Sequence, residues 1–266
     1  MKSIVKLIIQ LFASLIKNNK EALKFLYTKA LKKETQAYID YGYGETYPHI
    51  EKSSEIAKKY NFENDLIVDI GGARGYTAYL FHQYQANASI KVFEPLAENI
   101  PLIKKQLVGI KNAQIIAKAL GNEIGEQIIH RSSRVTSSSL LEFESNIDSD
   151  YMKEALKDNA SEKIIISTLD EELKEVARVG IIKIDVQGYE VEVLKGGTET
   201  LKKTSLVVVE VSNHHVYKNA PMYYDVDEIL RKNGFVLYDN CLTFKEQGRL
   251  REWDAIYVNA KLLKWK

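Results

Sequence analysis

The chain has 266 residues, of which 45% are hydrophobic and 27% are charged. It can therefore bury a large core, and wholesale disorder is excluded. A lone cysteine, Cys241, excludes an internal disulfide and a cysteine-rich zinc site, and it indicates a reducing compartment, most simply the cytoplasm.

The N-terminal residues 1–33 differ in charge from the rest of the chain. They hold eight lysines and one acid, Glu21, so their local charge is +7, and because the whole chain has a net charge of +1 the remainder carries −6. An acidic body argues against general binding of nucleic acid. We therefore expect no nucleic-acid partner.

Within this basic arm, residues 4–16 are mostly apolar, with interruptions at Lys6 and Gln10. The run is shorter than the ~20 apolar residues of a spanning helix, and no cleavage pattern of a signal peptide follows it. The spacing predicts an amphipathic helix that either packs on the main domain or lies on an anionic membrane at its inner face. We expect residues 1–45 to form a basic helical extension and residues 46–266 to form the main domain.

From residue 66 onward, β-branched runs alternate with helical patterns, which predicts βαβ units and an α/β fold with a doubly wound, mostly parallel sheet of about seven strands. The polar, serine-rich stretch 132–167 is predicted to be a functional lid or a loosely ordered connection. The predicted strands are 66–70, 89–94, 114–119, 126–131, 180–186, 206–211, 235–238 and 255–258, and the predicted helices are 76–84, 97–107, 189–203 and 226–232.

A glycine turn follows the first predicted strand. Asp69 ends the strand, and the turn contains Gly71, Gly72 and Gly75. Glycine lets the backbone approach a ligand closely, and open α/β sheets bind nucleotides at this edge. The spacing differs from G-x-G-x-x-G, and Asp69 would repel a pyrophosphate, whereas the cationic sulfonium of S-adenosylmethionine suits it. Glu94 ends the next strand, where an acid can accept hydrogen bonds from ribose hydroxyls. The turn therefore favours S-adenosylmethionine over a dinucleotide.

Two later strands also end in carboxylates, Asp185 and Glu210. A carboxylate after a buried aliphatic run is costly unless it faces a pocket or has a partner. We expect both carboxylates to face the molecule that accepts the methyl group of S-adenosylmethionine. With His214, they are candidates for taking the proton from its hydroxyl. The alternative is that Asp185 and Glu210 cap turns or pair with Lys183 or Arg231.

The same strand ends leave the metal content open. Carboxylate and amide oxygens, such as that of Asn213, are ligands that Mg²⁺ prefers. The sequence favours methyl transfer without a metal over methyl transfer assisted by Mg²⁺, and it identifies no metal ligands.

The chain resembles the FkbM family of S-adenosylmethionine-dependent methyltransferases over roughly residues 65–260. The resemblance is carried by Val68-Asp69-Ile70-Gly71, Val92-Phe93-Glu94-Pro95, Thr168-Leu169-Asp170, Ile182-Lys183-Ile184-Asp185-Val186-Gln187-Gly188-Tyr189-Glu190 and Val193-Leu194-Lys195-Gly196. Arg74 and Gln187 depart from it, since the family often has Asn and Glu there.

The resemblance implies a class I methyltransferase with a Rossmann-like fold. It also implies a cytosolic enzyme that methylates a hydroxyl of a sugar, glycolipid or secondary metabolite, with a small-molecule or glycan acceptor as its partner. The cofactor-binding residues would be Asp69, Gly71, Gly72, Gly75, Glu94 and Pro95, and the catalytic residues would be Asp185, Glu210 and His214. A nucleic-acid methyltransferase and a non-catalytic binding module are the alternatives.

Overall fold

A seven-stranded sheet forms the centre of residues Pro48–Lys266 in the computed structural model, which describes residues 47–132, 137–144, 160–215 and 217–264. A first unit comprises Met1–Tyr47. The predicted helical extension of residues 1–45 lies outside the described residues.

The helices and strands alternate along most of the chain. The helices are α1 Pro48–Lys59, α2 Tyr76–Tyr84, α3 Ile100–Gln106, α4 Leu169–Glu172, α5 Glu190–Lys195, α6 Thr198–Lys202 and α7 Tyr223–Lys232. The strands are β1 Leu66–Ile70, β2 Ile90–Phe93, β3 Ala113–Ile116, β4 Ala119–Gly121, β5 Gly125–His130, β6 Ser161–Thr168, β7 Val179–Ile184, β8 Thr204–Ser212, β9 Phe235–Glu246 and β10 Arg249–Asn259.

The order of the main sheet is β3-β2-β1-β7-β8-β10-β9. All neighbouring strands from β3 to β8 are parallel, and β10 runs antiparallel to both of its neighbours. The strand order reverses between β1 and β7, and the crevice at such a switch point is where open α/β sheets bind ligands. The predicted α/β class I methyltransferase fold, with a mostly parallel sheet of seven strands, is confirmed.

The core lies around β7 and β8. Every residue of β7 is buried, and so are Thr204–Val209 of β8. Each fully buried valine or isoleucine stabilises the fold by about 1.5–3 kcal/mol. These strands therefore give the residues that follow them a rigid base.

The structure corrects several predicted elements. The stretch 132–167, predicted to be a lid or a loose connection, contains most of β6. This strand pairs with β4 and β5 in a second sheet. Burial of Ile164 and Ile166 in a separate small core stabilises it there. The predicted helix 189–203 is two helices, α5 and α6, separated by Gly196 and Gly197. Lys118 lies outside both β3 and β4, so the predicted strand 114–119 is interrupted.

The last two strands are longer than predicted. β9 and β10 form a hairpin whose turn, Gln247-Gly248, has φ values of +50° and +77°. A two-residue turn with positive φ at both positions matches the twist of antiparallel strands. Polar residues alternate along the exposed end of this hairpin, so the sequence pattern did not indicate how long the two strands are.

Candidate functional site

The glycine turn lies between β1 and α2 and closes against two other strands. The N–H groups of Gly71 and Gly72 both donate to the carbonyl of Phe93 at 3.0 Å. Gly71 has φ +82°, and a Cβ atom there would lie 1.9 Å from the carbonyl oxygen of Asp185. Only glycine fits where β1 and β7 approach each other this closely.

The three predicted glycines have different surroundings. Gly71 lines the larger of two cavities at the carboxyl edge of the sheet. A Cβ atom on Gly72 would lie 2.2 Å from Val92, and one on Gly75 would lie 3.0 Å from Ile103. Gly72 and Gly75 therefore permit close packing of the turn on β2 and α3, while Gly71 lies beside the ligand space. Arg74 is exposed and lines neither cavity of the site.

Glu94 follows β2 and is held by three hydrogen bonds. Its Oε2 accepts from the N–H of Ala73 at 2.9 Å, and its Oε1 accepts from the N–H of Leu96 at 2.9 Å and from Asn99 Nδ2 at 3.0 Å. Burial raises the pKa of this carboxyl, and these donors oppose the shift. The side chain is therefore rigid, and Oε2 has only one donor.

Asp69 lies within β1, directly opposite Lys183 of β7 in the parallel register. The side chain is fully buried, and neither carboxylate oxygen has a hydrogen-bond partner. Burial raises the pKa of Asp69 to about 7, although Lys183 opposes the shift. A buried carboxylate without a partner is costly, and a bound cation relieves that cost.

The larger cavity lies above these residues at the carboxyl edge of the sheet. It encloses about 570 Å³, including space that is open to solvent. Glu94, Pro95 and Leu96 line one part of it, and Asp185 and Gln187 line another. The predicted cofactor residues Gly71, Glu94 and Pro95 are thus brought together with the predicted acceptor residue Asp185.

A second cavity of about 410 Å³ lies beside the first. Gln187 lines both cavities and therefore marks their boundary. The second cavity is also lined by Glu190, Glu210, His214 and Glu252. The structure thus places the predicted residues Glu210 and His214 together, and Asp185 on the other side of Gln187.

Asp185 and Glu210 are joined through the side-chain amide of Gln187. Its Nε2 donates to Asp185 Oδ1 at 2.9 Å and to Glu210 Oε2 at 2.8 Å. Asp185 directly follows β7, whereas Glu210 precedes the end of β8 by two residues. The strand ends therefore bring the two carboxylates to the same place, as their positions in the sequence predict.

The two carboxylates differ in charge environment. Lys183 Nζ lies 2.7 Å from Asp185 Oδ2 and, despite burial, holds the pKa of Asp185 below its usual value. Burial, and then the negative charge of Asp185, raise the pKa of Glu210 well above its usual value. The pKa values of the two carboxyls are therefore shifted in opposite directions, that of Asp185 toward the charged form and that of Glu210 toward the protonated form. The predicted alternative partner Arg231 instead pairs with Asp227.

His214 follows β8 in a half-buried position. Its Nδ1 lies 3.0 Å from Ser212 Oγ, and its Nε2 lies 4.0 Å from Glu252 Oε1. Burial lowers the pKa of His214, and Arg251 lowers it further. The imidazole is therefore neutral at neutral pH and can accept a proton.

The sequence indicated Lys183 only as an alternative partner of the carboxylates, a pairing that the structure shows with Asp185, and it did not indicate the charged residues Glu252 and Asp254 of this region. Lys183 is 4% exposed within an isoleucine-rich strand, and a lysine inside such a run is the signal that identifies it. Asp254 is similarly buried in β10 beside His49, and Glu252 lines the second cavity. Glu252 and Asp254 lie on a strand whose predicted bounds began at residue 255.

The described residues contain neither a metal-binding cluster nor a membrane-spanning helix. Within residues 47–132, 137–144, 160–215 and 217–264, no group of three or more histidine, cysteine, aspartate or glutamate residues is arranged to hold a metal ion. Over the same part of the chain, no helix is long and apolar enough to cross a membrane.

Solved structures with a similar fold include several methyltransferases. Magnesium protoporphyrin IX methyltransferase from Synechocystis PCC 6803, solved with S-adenosylmethionine bound, is 9% identical with a TM-score of 0.44, and the match covers 79% of each chain. TrmK from M. capricolum, in complex with S-adenosylhomocysteine, is 8% identical with a TM-score of 0.45, over 79% of this chain and 67% of that one.

The fibrillarin pre-rRNA processing protein of Methanococcus jannaschii is 12% identical with a TM-score of 0.44, over 74% of this chain and 66% of that one. No curated protein sequence matches the chain significantly. The sequence model of the methyltransferase FkbM domain matches residues 69–237, which are more than half of the chain and include both cavities' central residues. The chain therefore belongs to the FkbM family of methyltransferases, whose cofactor is S-adenosylmethionine.

Proposed function

We propose that the chain is an O-methyltransferase that transfers the methyl group of S-adenosylmethionine to a hydroxyl of a sugar, glycan, glycolipid or secondary metabolite. One observation carries the proposal. Two carboxylates, Asp185 and Glu210, lie at the boundary between a cavity suited to the cofactor and a second cavity suited to an acceptor. A hydroxyl acceptor needs such a group to take its proton.

The residues of the larger cavity fit the cofactor. Glu94 Oε2, with one donor in place, can accept a further hydrogen bond from a ribose hydroxyl, and Pro95 and Leu96 offer apolar surface beside it. Asp69, fully buried and lining neither cavity, would act on the positively charged end of the cofactor only through its charge. When bound, the cofactor supplies an electrophilic methyl group on a sulfonium. Gly71 lets the backbone approach it closely, with Gly72 and Gly75 shaping the turn.

The acceptor hydroxyl would bind where the second cavity meets Gln187. Asp185, which lines the first cavity on the other side of Gln187, can orient the hydroxyl or accept its proton, while Glu210 and His214 line the second cavity. Holding the acceptor oxygen in line with the methyl group converts a bimolecular reaction into an effectively unimolecular one. The chain thereby contributes orientation, proton acceptance and exclusion of water.

The lining of the second cavity favours a neutral, hydroxyl-rich acceptor. Glu190, Glu210 and Glu252 can accept hydrogen bonds from hydroxyls, and the described lining contains no lysine or arginine. Tyr223 and Tyr224 begin α7 two residues after Pro221, which lines the cavity, and both are exposed. Exposed aromatic rings can stack on the apolar face of a sugar. A phosphodiester backbone would be repelled by the carboxylates, which disfavours a nucleic-acid acceptor.

The direct test is methylation with isotopically labelled S-adenosylmethionine. Methyl glycosides of glucose, galactose, rhamnose and fucose, together with total RNA, would be offered to the full chain. Label in a glycoside supports the proposal, and label in RNA alone overturns it. Asp185→Ala is expected to abolish methylation with cofactor affinity changed less than about tenfold. Asp239→Ala, on the edge strand β9, is the matched control and should leave the rate unchanged.

We also propose that the basic residues 1–33 bring the enzyme to an anionic membrane surface at the cytoplasmic face. The proposal depends on their charge of +7. The full chain should float with vesicles containing phosphatidylglycerol, and a chain lacking residues 1–33 should not. Equal flotation of the two forms would exclude the proposal.

A further inference from the structure

Gln187 uses all of its side-chain polar groups in the site. Its Nε2 donates to Asp185 Oδ1 and to Glu210 Oε2, and its Oε1 lies 2.8 Å from the hydroxyl of Tyr217. A primary amide has two N–H donors, so both are used by carboxylates. The side chain is therefore fixed at both ends.

The backbone of Gln187 is also constrained. Its φ of +58° is in the left-handed region, which is uncommon for a residue with a side chain. Its carbonyl accepts a hydrogen bond from Ser139 Oγ at 2.6 Å. Strained backbone held by surrounding contacts is concentrated at functional sites. This backbone conformation places the side chain of Gln187 between the two carboxylates.

Tyr217 determines which way the amide points. Its side chain is 4% exposed, and its hydroxyl contacts both Gln187 Oε1 and, at 3.1 Å, the carbonyl of Ser137. The hydroxyl has one proton and can donate to only one of these oxygens. Donation to Oε1, the shorter of the two contacts, favours the amide orientation in which Nε2 faces the carboxylates. Tyr217 thus acts on the carboxylates through Gln187 and does not contact them in the described hydrogen bonds.

The charges around the two carboxylates favour a neutral hydrogen-bond donor between them. Asp185 has Lys183 as a cationic partner, whereas the groups that act most strongly on Glu210 are the acids Asp185, Glu252, Asp254 and Glu190. Two carboxylates held close together repel each other unless donors lie between them. Gln187 supplies one donor to each, and a glutamate at position 187 would add a third carboxylate.

We propose that Gln187 is a positioning residue for methyl transfer, whose amide holds Asp185 and Glu210 at a fixed spacing where the two cavities meet, with Tyr217 fixing the orientation of that amide. The role of Gln187 in catalysis rests on the proposed function. The arrangement itself is independent of the acceptor. It can therefore be tested on the enzyme without one.

The test is a pH titration of the side-chain carboxyls by ¹³C NMR on the full chain, with the signals assigned through Asp185→Asn and Glu210→Gln. Gln187→Leu keeps the approximate size but removes both donors. Hydrogen bonds to the charged form lower a carboxyl pKa, so both titration midpoints should rise, by about one pH unit. Gln127→Leu, which changes a glutamine on β5 that bonds Glu123, is the control and should leave both midpoints unchanged.

Tyr217→Phe provides a second, milder variant. It leaves the amide in place but free to turn its oxygen toward the carboxylates, so the same midpoints should rise by a smaller amount. Calorimetric affinity for S-adenosylmethionine should stay within about threefold of the wild-type value in Tyr217→Phe, because Tyr217 lines only the second cavity. Midpoints that stay at their wild-type values in both variants would overturn the proposal. A failure of the glycoside assay, by contrast, would leave these titrations unaffected.

Discussion

The two cavities of the site differ in the groups that line them. The cofactor cavity lies against a glycine turn whose backbone is bonded to β2, and its one lining glutamate, Glu94, already accepts three hydrogen bonds. The second cavity is formed by side chains, among them several carboxylates that share few donors. The first site therefore depends on shape, and the second depends on charge and on the state of its protons.

Gly71→Ala should cause the largest loss on the cofactor side. The added Cβ atom would lie 1.9 Å from the carbonyl of Asp185, and the φ of +82° is itself unfavourable for alanine. Because backbone must move to relieve the contact, we expect affinity for S-adenosylmethionine to fall more than about a hundredfold. Isothermal titration calorimetry measures this directly.

Gly109→Ala separates the contact from the backbone strain. Gly109 has a similar φ of +85°, but a Cβ atom there would meet nothing within 4 Å. The variant should bind the cofactor like the wild type and lose only about 1–2 kcal/mol of stability. Equal loss of binding in both variants would show that the turn does not depend on shape in the way described.

The sequence predicted the elements around the glycine turn well because their signals are local. β1 and α2 have the predicted bounds, and a strand, a glycine turn and an acid at the next strand end identify the cavity without knowledge of the tertiary structure. Gly72 and Gly75 show the limit of that reasoning. They share the motif with Gly71 but contact the packing behind the turn.

The acceptor half was predicted only in part because its residues meet through tertiary structure. Asp185 and Glu210 were predicted, since each follows a buried run. Tyr217 and Ser139 reach Gln187 from segments 30 and 48 residues away, and no local pattern indicates such contacts. Strand β6 was missed for a similar reason, because the polar serine-rich stretch before it obscured its buried isoleucines.

Glu94→Gln should have the next largest effect and should remain confined to the cofactor side. The amide has one acceptor oxygen in place of two, so it cannot accept from both the backbone donors and a ribose hydroxyl. We expect cofactor affinity to fall about tenfold to a hundredfold, measured by calorimetry. Glu98→Gln, at an exposed glutamate four residues later, is the control. An unchanged affinity in Glu94→Gln would remove this residue from the proposed cofactor site.

The buried carboxylates should make stability depend on pH in the range in which the enzyme is handled. Burial raises the pKa of Asp69, Glu190 and Asp254 to about 7, and Lys183 opposes the shift at both aspartates. A folded-state pKa above the unfolded value stabilises the protein fully below the unfolded pKa of about 4, and this contribution is lost as pH rises through about 7. The melting temperature without cofactor should therefore fall by several degrees between pH 5.5 and 8.5.

Asp254→Asn should flatten this dependence. Asp254 lines neither cavity, and its neighbours are Lys183, Asp185 and the buried His49, whose pKa is lowered to about 3 by burial and by Lys183. Differential scanning calorimetry across the pH series gives the slope for both proteins. Asp239→Asn is the matched control on a neighbouring strand. A slope that is the same in the wild type and in Asp254→Asn would show that this carboxyl does not titrate in the range.

Tyr224→Ala should have the smallest effect and should be confined to the acceptor side. Tyr224 is 59% exposed and contacts Tyr223 edge-on, whereas Tyr223 packs against Trp253 and supports the fold. Losing one stacking surface should raise the KM for an accepted methyl glycoside about threefold to tenfold, with kcat and cofactor affinity unchanged. Tyr60→Ala, beyond the end of α1 and before β1, is the control. Because a stacking ring contributes to binding of the acceptor before and during transfer, a fall in kcat at constant KM would contradict this role for Tyr224.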